Sequence, residues 1–207
     1  MIRVVGCLVL VAGCDIVFPL NARKPDPDTV DANGDTIVDA PKGNLAECPA
    51  GYQPINDAPT TSKYRKGGLP TDWATASVDC VDDLSADKSV HTHLLVVGDQ
   101  AEIDAVDLAF PNTAAFWIGL SDRRMEVLFQ TVSTEVTSYP ADDTPGKGAP
   151  PWAMNQPDNS PTDIGQDCVH IRGFPDAQAN TLDDELCNML LDYLCECDSF
   201  ADDPTKY

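Results

Sequence analysis

The chain has 207 residues, with 34 Asp+Glu against 13 Lys+Arg, for a formal net charge of −21. Such a polyanion repels phosphate backbones and anionic bilayer surfaces, which excludes nucleic acid as a partner and leaves a covalent tether as the route to a membrane. A hydrophobic fraction of 43% and eight cysteines exclude disorder as a description of the whole chain. Six of the acids are Glu and 28 are Asp. Because Asp favours turns, caps and cation coordination over helix interiors, the bias points to a loop-rich, calcium-binding protein.

Taken in chain order, residues 1–13 carry one positive charge, a short apolar run from Val4 to Leu10, and small residues before Cys14. That is the pattern of an export signal, and the run is too short to span a bilayer. Val11-Ala12-Gly13-Cys14 resembles a bacterial lipobox, which implies lipidation of Cys14 and a place in the cell envelope, on the outer membrane or cell surface. Membrane contact would then run through the lipid alone. Residues 14–47 read as an acidic flexible linker, with seven acids and three bases between Asp15 and Glu47. Within it, Asp31, Asn33 and Asp35 alternate as a calcium loop begins, but Thr36 and Lys42 stand where that loop needs Gly and Glu.

The folded domain is expected over 48–199, followed by a tail at 200–207. Thr71 is a suitable N-cap for a helix whose Trp73, Ala76 and Cys80 share one face. Asp99-Gln100-Ala101-Glu102 has capping-box spacing ahead of a second helix with Ile103, Val106 and Phe110 on its apolar stripe, stopped by Pro111. Strands are expected at His93–Val97, Phe116–Leu120, Cys168–Ile171 and Tyr193–Cys195. Between Ser121 and Asp167 the chain turns to Pro, Asp, Thr, Gly and Asn. An irregular stretch of that length inside a domain is usually functional. Helices followed by strands and one long loop make the class α+β.

An exported domain with six cysteines implies disulfides, although spacing alone leaves the pairing open. Trp73-x-x-Ala76-x-x-x-Cys80, His93-Leu94 and Trp117-Ile118-Gly119-Leu120-Ser121-Asp122 resemble the first half of a C-type lectin-like domain. Trp152, Gln156-Pro157-Asp158-Asn159, Asp167-Cys168-Val169, Asp183-Asp184-x-x-Cys187 and Tyr193-x-Cys195-Glu196 resemble the second half, in the same order. The resemblance implies two helices packed on small antiparallel sheets, with Cys80 paired to Cys195 and Cys168 to Cys187. Cys48 and Cys197 remain, and a bridge between them would tie the domain's ends together.

The resemblance also implies a site. In sugar-binding members of that family, side chains of the long loop and an adjacent strand hold Ca²⁺, and two vicinal sugar hydroxyls complete its shell; calcium's flexible shell of hard oxygens suits the exchange. The positions that match here are Gln156, Asp158, Asp183 and Asp184, with Gln166 where a ligating Glu usually stands. Gln156, Asp158 and Asp183 would also meet the sugar. Gln156-Pro157-Asp158 is the form the family associates with galactose-type sugars. Three departures accompany the match: Gln166 for Glu, Leu182 for a structural Trp, and no aromatic residue at 159–162 to stack on a galactose face. The expected function is therefore calcium-dependent carbohydrate binding, with a calcium-independent module for a protein ligand as the alternative. No phosphate loop, nucleophile elbow or zinc motif is present, and an enzyme is not expected. His91, His93 and His170 read as structural, and Tyr64-Arg65-Lys66 as a solvated basic loop.

Overall fold

The structure, a computed structural model, describes residues 43–83, 85, 88–111, 113, 115–126, 128–135, 151–159, 165–173 and 175–207. The signal segment, Cys14, the Asp31–Asp35 stretch and the linker as far as residue 42 lie outside the described residues, as do 136–150 and 160–164 of the long loop.

The elements follow one another as strand β1 (Lys63–Lys66), helix α1 (Trp73–Val81), β2 (His91–Leu94), helix α2 (Gln100–Ala109), β3 (Ala115–Ser121), β4 (Gln130–Thr131), β5 (Cys168–Arg172), β6 (Thr181–Glu185) and β7 (Asp192–Asp198). The sheet runs β1-β7-β3-β5-β6, with β2 also paired to β7 and β4 to β3. All neighbours are antiparallel except β3 and β7, whose parallel contact at Phe116–Asp192 and Trp117–Tyr193 joins the two halves. This is the α+β C-type lectin fold, with two helices and three disulfides: Cys48–Cys197, Cys80–Cys195 and Cys168–Cys187.

Local details differ from the sequence expectation in instructive ways. The N-cap of α1 is Asp72, whose carboxylate accepts the Thr75 N–H at 3.0 Å. Thr71 instead pairs with Leu191 through both backbone groups, because the chain there closes a bridge to the turn before β7. Asp99 caps α2 by accepting the Glu102 N–H, but the Glu102 carboxylate returns to the N–H of Gly98, one residue before the cap, and also accepts the Tyr64 hydroxyl at 2.6 Å. Tyr64-Arg65-Lys66 is not a solvated loop but most of β1. Its Tyr64 is buried, Arg65 bridges Asp79 and Asp83 of α1 and the turn after it, and Lys66 pairs with Asp192.

The core explains the aromatic motifs. Trp73 donates its indole N–H to the Ile118 carbonyl and Trp117 donates its own to the Thr71 carbonyl, so each locks the start of α1 to β3. Gly119 sits at a close crossing of the chain. A Cβ there would lie 2.5 Å from Val132 Cγ2 and 2.7 Å from the Leu94 carbonyl oxygen. Residues 200–207 are not a free end. Asp203 donates its N–H to the Val132 carbonyl, Lys206 Nζ reaches the Ser133 carbonyl, and the Tyr207 ring packs edge-on against Trp73 at 5.5 Å. At the other end, Leu45 already packs on the core, within a 3-10 turn capped by Asn44.

Candidate functional site

β5 and β6 form an antiparallel hairpin in which Cys168 faces Glu185, Val169 faces Asp184, His170 faces Asp183 and Arg172 faces Thr181. The Cys168–Cys187 disulfide pins its open end. The described start of the returning loop lies along the free edge of β6: the Ala153 N–H donates to the Leu182 carbonyl and the Leu182 N–H to the Pro151 carbonyl, both at 2.8 Å. Leu182 is fully buried in the same core cluster as Trp152 and Phe129, so it fills its position by packing. Trp152 is itself buried and packs at a tilt against Phe129, ring centroids 5.2 Å apart, which removes it as a platform for a sugar face.

The Gln156–Pro157 peptide is cis, and it lies between Asn155 and Asn159, both in the left-handed region at φ 72° and 47°. Asn tolerates that conformation better than most residues, which makes the pair natural turn points. The loop then hooks onto β6. Asp184 accepts the N–H of Asp158 at 3.0 and 3.2 Å and the N–H of Asn159 at 2.6 Å. Burial raises the pKa of its carboxyl, and those two N–H groups oppose the shift. Around the same turn, Asn159 Oδ1 accepts the backbone N–H of Gln166 at 2.8 Å, Asn159 Nδ2 donates to Glu126, and Gln166 Nε2 approaches Glu185 at 3.4 Å. Glu126 and Glu185 are additions that sequence spacing did not mark.

Asp183 goes elsewhere. Adjacent strand residues point to opposite faces, so Asp183 shares a face with His170 and Arg172 while Asp184 turns to the loop. Asp183 Oδ2 accepts from Arg172 Nε at 2.8 Å and Nη2 at 2.7 Å, with His170 Nε2 at 3.8 Å. Burial pushes the Asp183 carboxyl up to about 6, against the pull of Arg172. Burial likewise depresses His170 to about 4, helped by the Arg172 charge, so the imidazole is neutral and Arg172 is the counter-ion. The structure therefore brings Asp158, Asp184 and Gln166 to one turn and sets Asp183 against a guanidinium.

Two acceptor oxygens on the matched positions are shielded from solvent and have no hydrogen-bond partner among the described residues: Gln156 Oε1 and Asp183 Oδ1. Such oxygens are costly unless a donor or cation meets them. Acceptor-only oxygens from an amide and carboxylates are also the donor set a hard cation such as Ca²⁺ takes. The residues present thus fit calcium in chemistry. Gln156, Asp158 and Asp184 would hold it from the loop side, with Gln166 beside them, and Asp183 would join only once its carboxylate turns from Arg172.

A second cluster lies across the core. Donor atoms of His93, Glu196 and Asp198 come within 4.8 Å of one another, all three residues being buried. Protein groups engage each of them: His93 Nδ1 to the Leu94 carbonyl, His93 Nε2 to Asp198 Oδ1, the Val96 N–H to Glu196, and the Phe200 N–H to Asp198. His93 is raised to about 9 against its own desolvation, by the hydrogen bond and charge of Asp198 and by Glu196. Burial pushes Glu135, beside them, up to about 8. His93 is buried and hydrogen-bonded within the fold, and its acidic surroundings come from β7 and the segment after β4, which no local pattern connects to it.

Comparison with known proteins agrees with the fold. No curated protein sequence matches the chain significantly. Among solved structures it is similar to the C-type lectin CEL-I from Cucumaria echinata, at 22% identity and a TM-score of 0.56 over 74% of this chain and 99% of that one. It is similar as well to the carbohydrate-recognition domain of the human scavenger receptor C-type lectin, at 23% identity and a TM-score of 0.52, covering 73% and 98%. A third likeness is to the C-type carbohydrate-recognition domain of cow CD23, solved in the presence of a GlcNAc2Man3 oligosaccharide, at 20% identity and a TM-score of 0.51, covering 72% and 94%. The model of the lectin C-type domain family matches residues 70–197, well over half of the chain, and the chain belongs to that family.

Proposed function

We propose that this domain binds carbohydrate through a calcium ion held by Gln156, Asp158, Asp183 and Asp184, and that a lipid on Cys14 displays it on the cell envelope. The observation that carries the reading is the pair of buried, unpartnered oxygens, Gln156 Oε1 and Asp183 Oδ1, on the matched motif positions. Calcium bound there would offer open coordination positions to two vicinal hydroxyls. The Asp184 carboxylate would hold the loop in register while the Gln156 and Asp158 side chains set the sugar's orientation. The Gln-Pro-Asp order favours a galactose-type sugar, and the GlcNAc2Man3 oligosaccharide present with the cow relative keeps the wider class of glycans in view.

The reading is tested on the soluble domain, kept from Gly43 through Tyr207 so that both packed ends remain. Calorimetry with Ca²⁺ should show uptake in the millimolar range typical of extracellular modules, and a glycan array should give signals that chelator removes. Asp158→Asn should abolish both. Glycan signals that persist in chelator, without calcium uptake, would overturn it. A second reading, a calcium-independent module contacting a protein, is favoured by the Arg172 guanidinium that already neutralises Asp183. In that case calcium uptake is absent in every buffer.

A further inference from the structure

We propose that Arg172 is a resident counter-cation that competes with Ca²⁺ for Asp183, so that the site loads only as the guanidinium lets go. The proposal rests on the calcium reading and adds to it a control built into the β5–β6 hairpin.

Three observations support it. First, Nε and Nη2 of Arg172 converge on a single oxygen, Asp183 Oδ2, at 2.8 and 2.7 Å, and leave Oδ1 buried with no partner among the described residues. The two-pronged geometry that guanidinium–carboxylate pairs frequently adopt, one prong to each oxygen, is not made here. Second, no other cation is described on this face beside Asp183, since His170, at 3.8 Å, is held neutral by burial and by Arg172 itself. Third, the guanidinium has a second acid within reach. Its Nη1 stands 3.7 Å from Asp176 Oδ2, one turn of chain beyond β5 and half-exposed. Moving from Asp183 toward Asp176 would keep the charge paired while freeing Oδ2.

Like charges explain the competition. A dication and a guanidinium on one carboxylate repel each other at a separation of a few ångströms, in surroundings that screen poorly. Asp158, Asp183 and Asp184 are not gathered as tightly as His93, Glu196 and Asp198 among the described residues. This is as expected while Asp183 is turned to Arg172.

The experiment titrates Ca²⁺ into the wild-type domain and into Arg172→Met, by calorimetry. Alongside it, the Arg172 side-chain Nε–H resonance is followed by NMR in the wild type. Losing a charge-assisted pair predicts affinity roughly ten- to a hundred-fold tighter in Arg172→Met, and Arg172→Lys should keep most of the competition. In the wild type the Nε–H signal should shift and lose protection from exchange as calcium saturates. Uptake by Arg172→Met alone would also support the competition, while showing that the wild-type site is closed to calcium. Uptake by both proteins, with Arg172→Met no tighter and the Nε–H signal unmoved, overturns this proposal and leaves the calcium reading intact. No uptake by either protein overturns both. Should Arg172→Met fail to fold, the wild-type Nε–H titration decides alone, because an unmoved resonance at saturating calcium rules the release out.

Discussion

Asp184→Asn separates the two duties assigned to that carboxylate, holding the loop and holding an ion. In the structure its oxygens accept the N–H groups of Asp158 and Asn159 at 2.6 to 3.2 Å. An asparagine keeps one acceptor oxygen and turns an NH₂ donor toward an N–H donor, so at least one of those bonds is lost. A hydrogen bond to a charged group contributes about 1.5–3 kcal/mol. The loop should therefore open roughly ten- to a hundred-fold more often, with or without calcium. Native-state hydrogen exchange in chelator reads this directly: the Asp158 and Asn159 amides should lose that factor of protection while the Leu194 and Cys195 amides keep theirs. Adding calcium at about ten times its dissociation constant should stabilise the wild type by about 1.4 kcal/mol in urea titrations and Asp184→Asn by nothing. Unchanged exchange at Asp158 and Asn159 in chelator would refute the anchoring role. A calcium response retained by the variant would refute the ligand role.

Other expectations concern the scaffold. With Cys80–Cys195 intact, removing Cys48–Cys197 opens a ring of only roughly 34 residues, not the full separation of 149, and should cost about 4 kcal/mol. Removing Cys80–Cys195 afterwards opens a ring of roughly 96 residues, the separation of 115 being shortened by the intact Cys168–Cys187 bridge, and costs about 5 kcal/mol more, so urea titrations of the alanine variants should show more than additive loss. Stability should fall as pH rises from about 6.5 to 9, above the range in which the depressed His170 acts in the opposite sense. His93, raised to about 9, contributes fully below its unfolded value and loses that contribution through 9, and Glu135, raised to about 8, keeps a proton that the unfolded chain has lost. Each extra proton held by the native state amounts to about 1.4 kcal/mol per pH unit. A melting temperature that stays level or climbs from about pH 6.5 to 9 would contradict this, and Glu135→Gln should flatten the decline. Gly119→Ala should cost roughly 1–3 kcal/mol, since the new Cβ meets Val132 and the Leu94 carbonyl and neither has room to retreat; a melting curve unchanged from wild type would show that β3 and Val132 can part.

Much of the fold was legible because its signals are local. The apolar stripes of α1 and α2 and the buried run Phe116–Leu120 each rest on residues near one another in sequence, whereas the cysteine pairing followed from the family resemblance. β1 escaped notice because Lys63, Arg65 and Lys66 flank its one buried residue, and their partners Asp79, Asp83 and Asp192 come from elsewhere in the chain. β4 is two residues long and defined solely by its pairing to β3. The packed C-terminal end depends on contacts to Val132, Ser133 and Trp73 that polarity alone would not suggest.

The candidate site divides in the same way. Which residue types stand at 156, 158, 166, 183 and 184, and their resemblance to a calcium-holding motif, are properties of the chain itself. Their division between two faces is not. Asp184 turns to the loop and Asp183 to Arg172 because β6 is paired in one register with β5, and a strand alternates its side chains. Sequence determined the inventory of candidate side chains. The hairpin's register decided which of them turns to the loop and which to Arg172, since a charge–charge interaction depends on distance in space and carries no local signature in the chain.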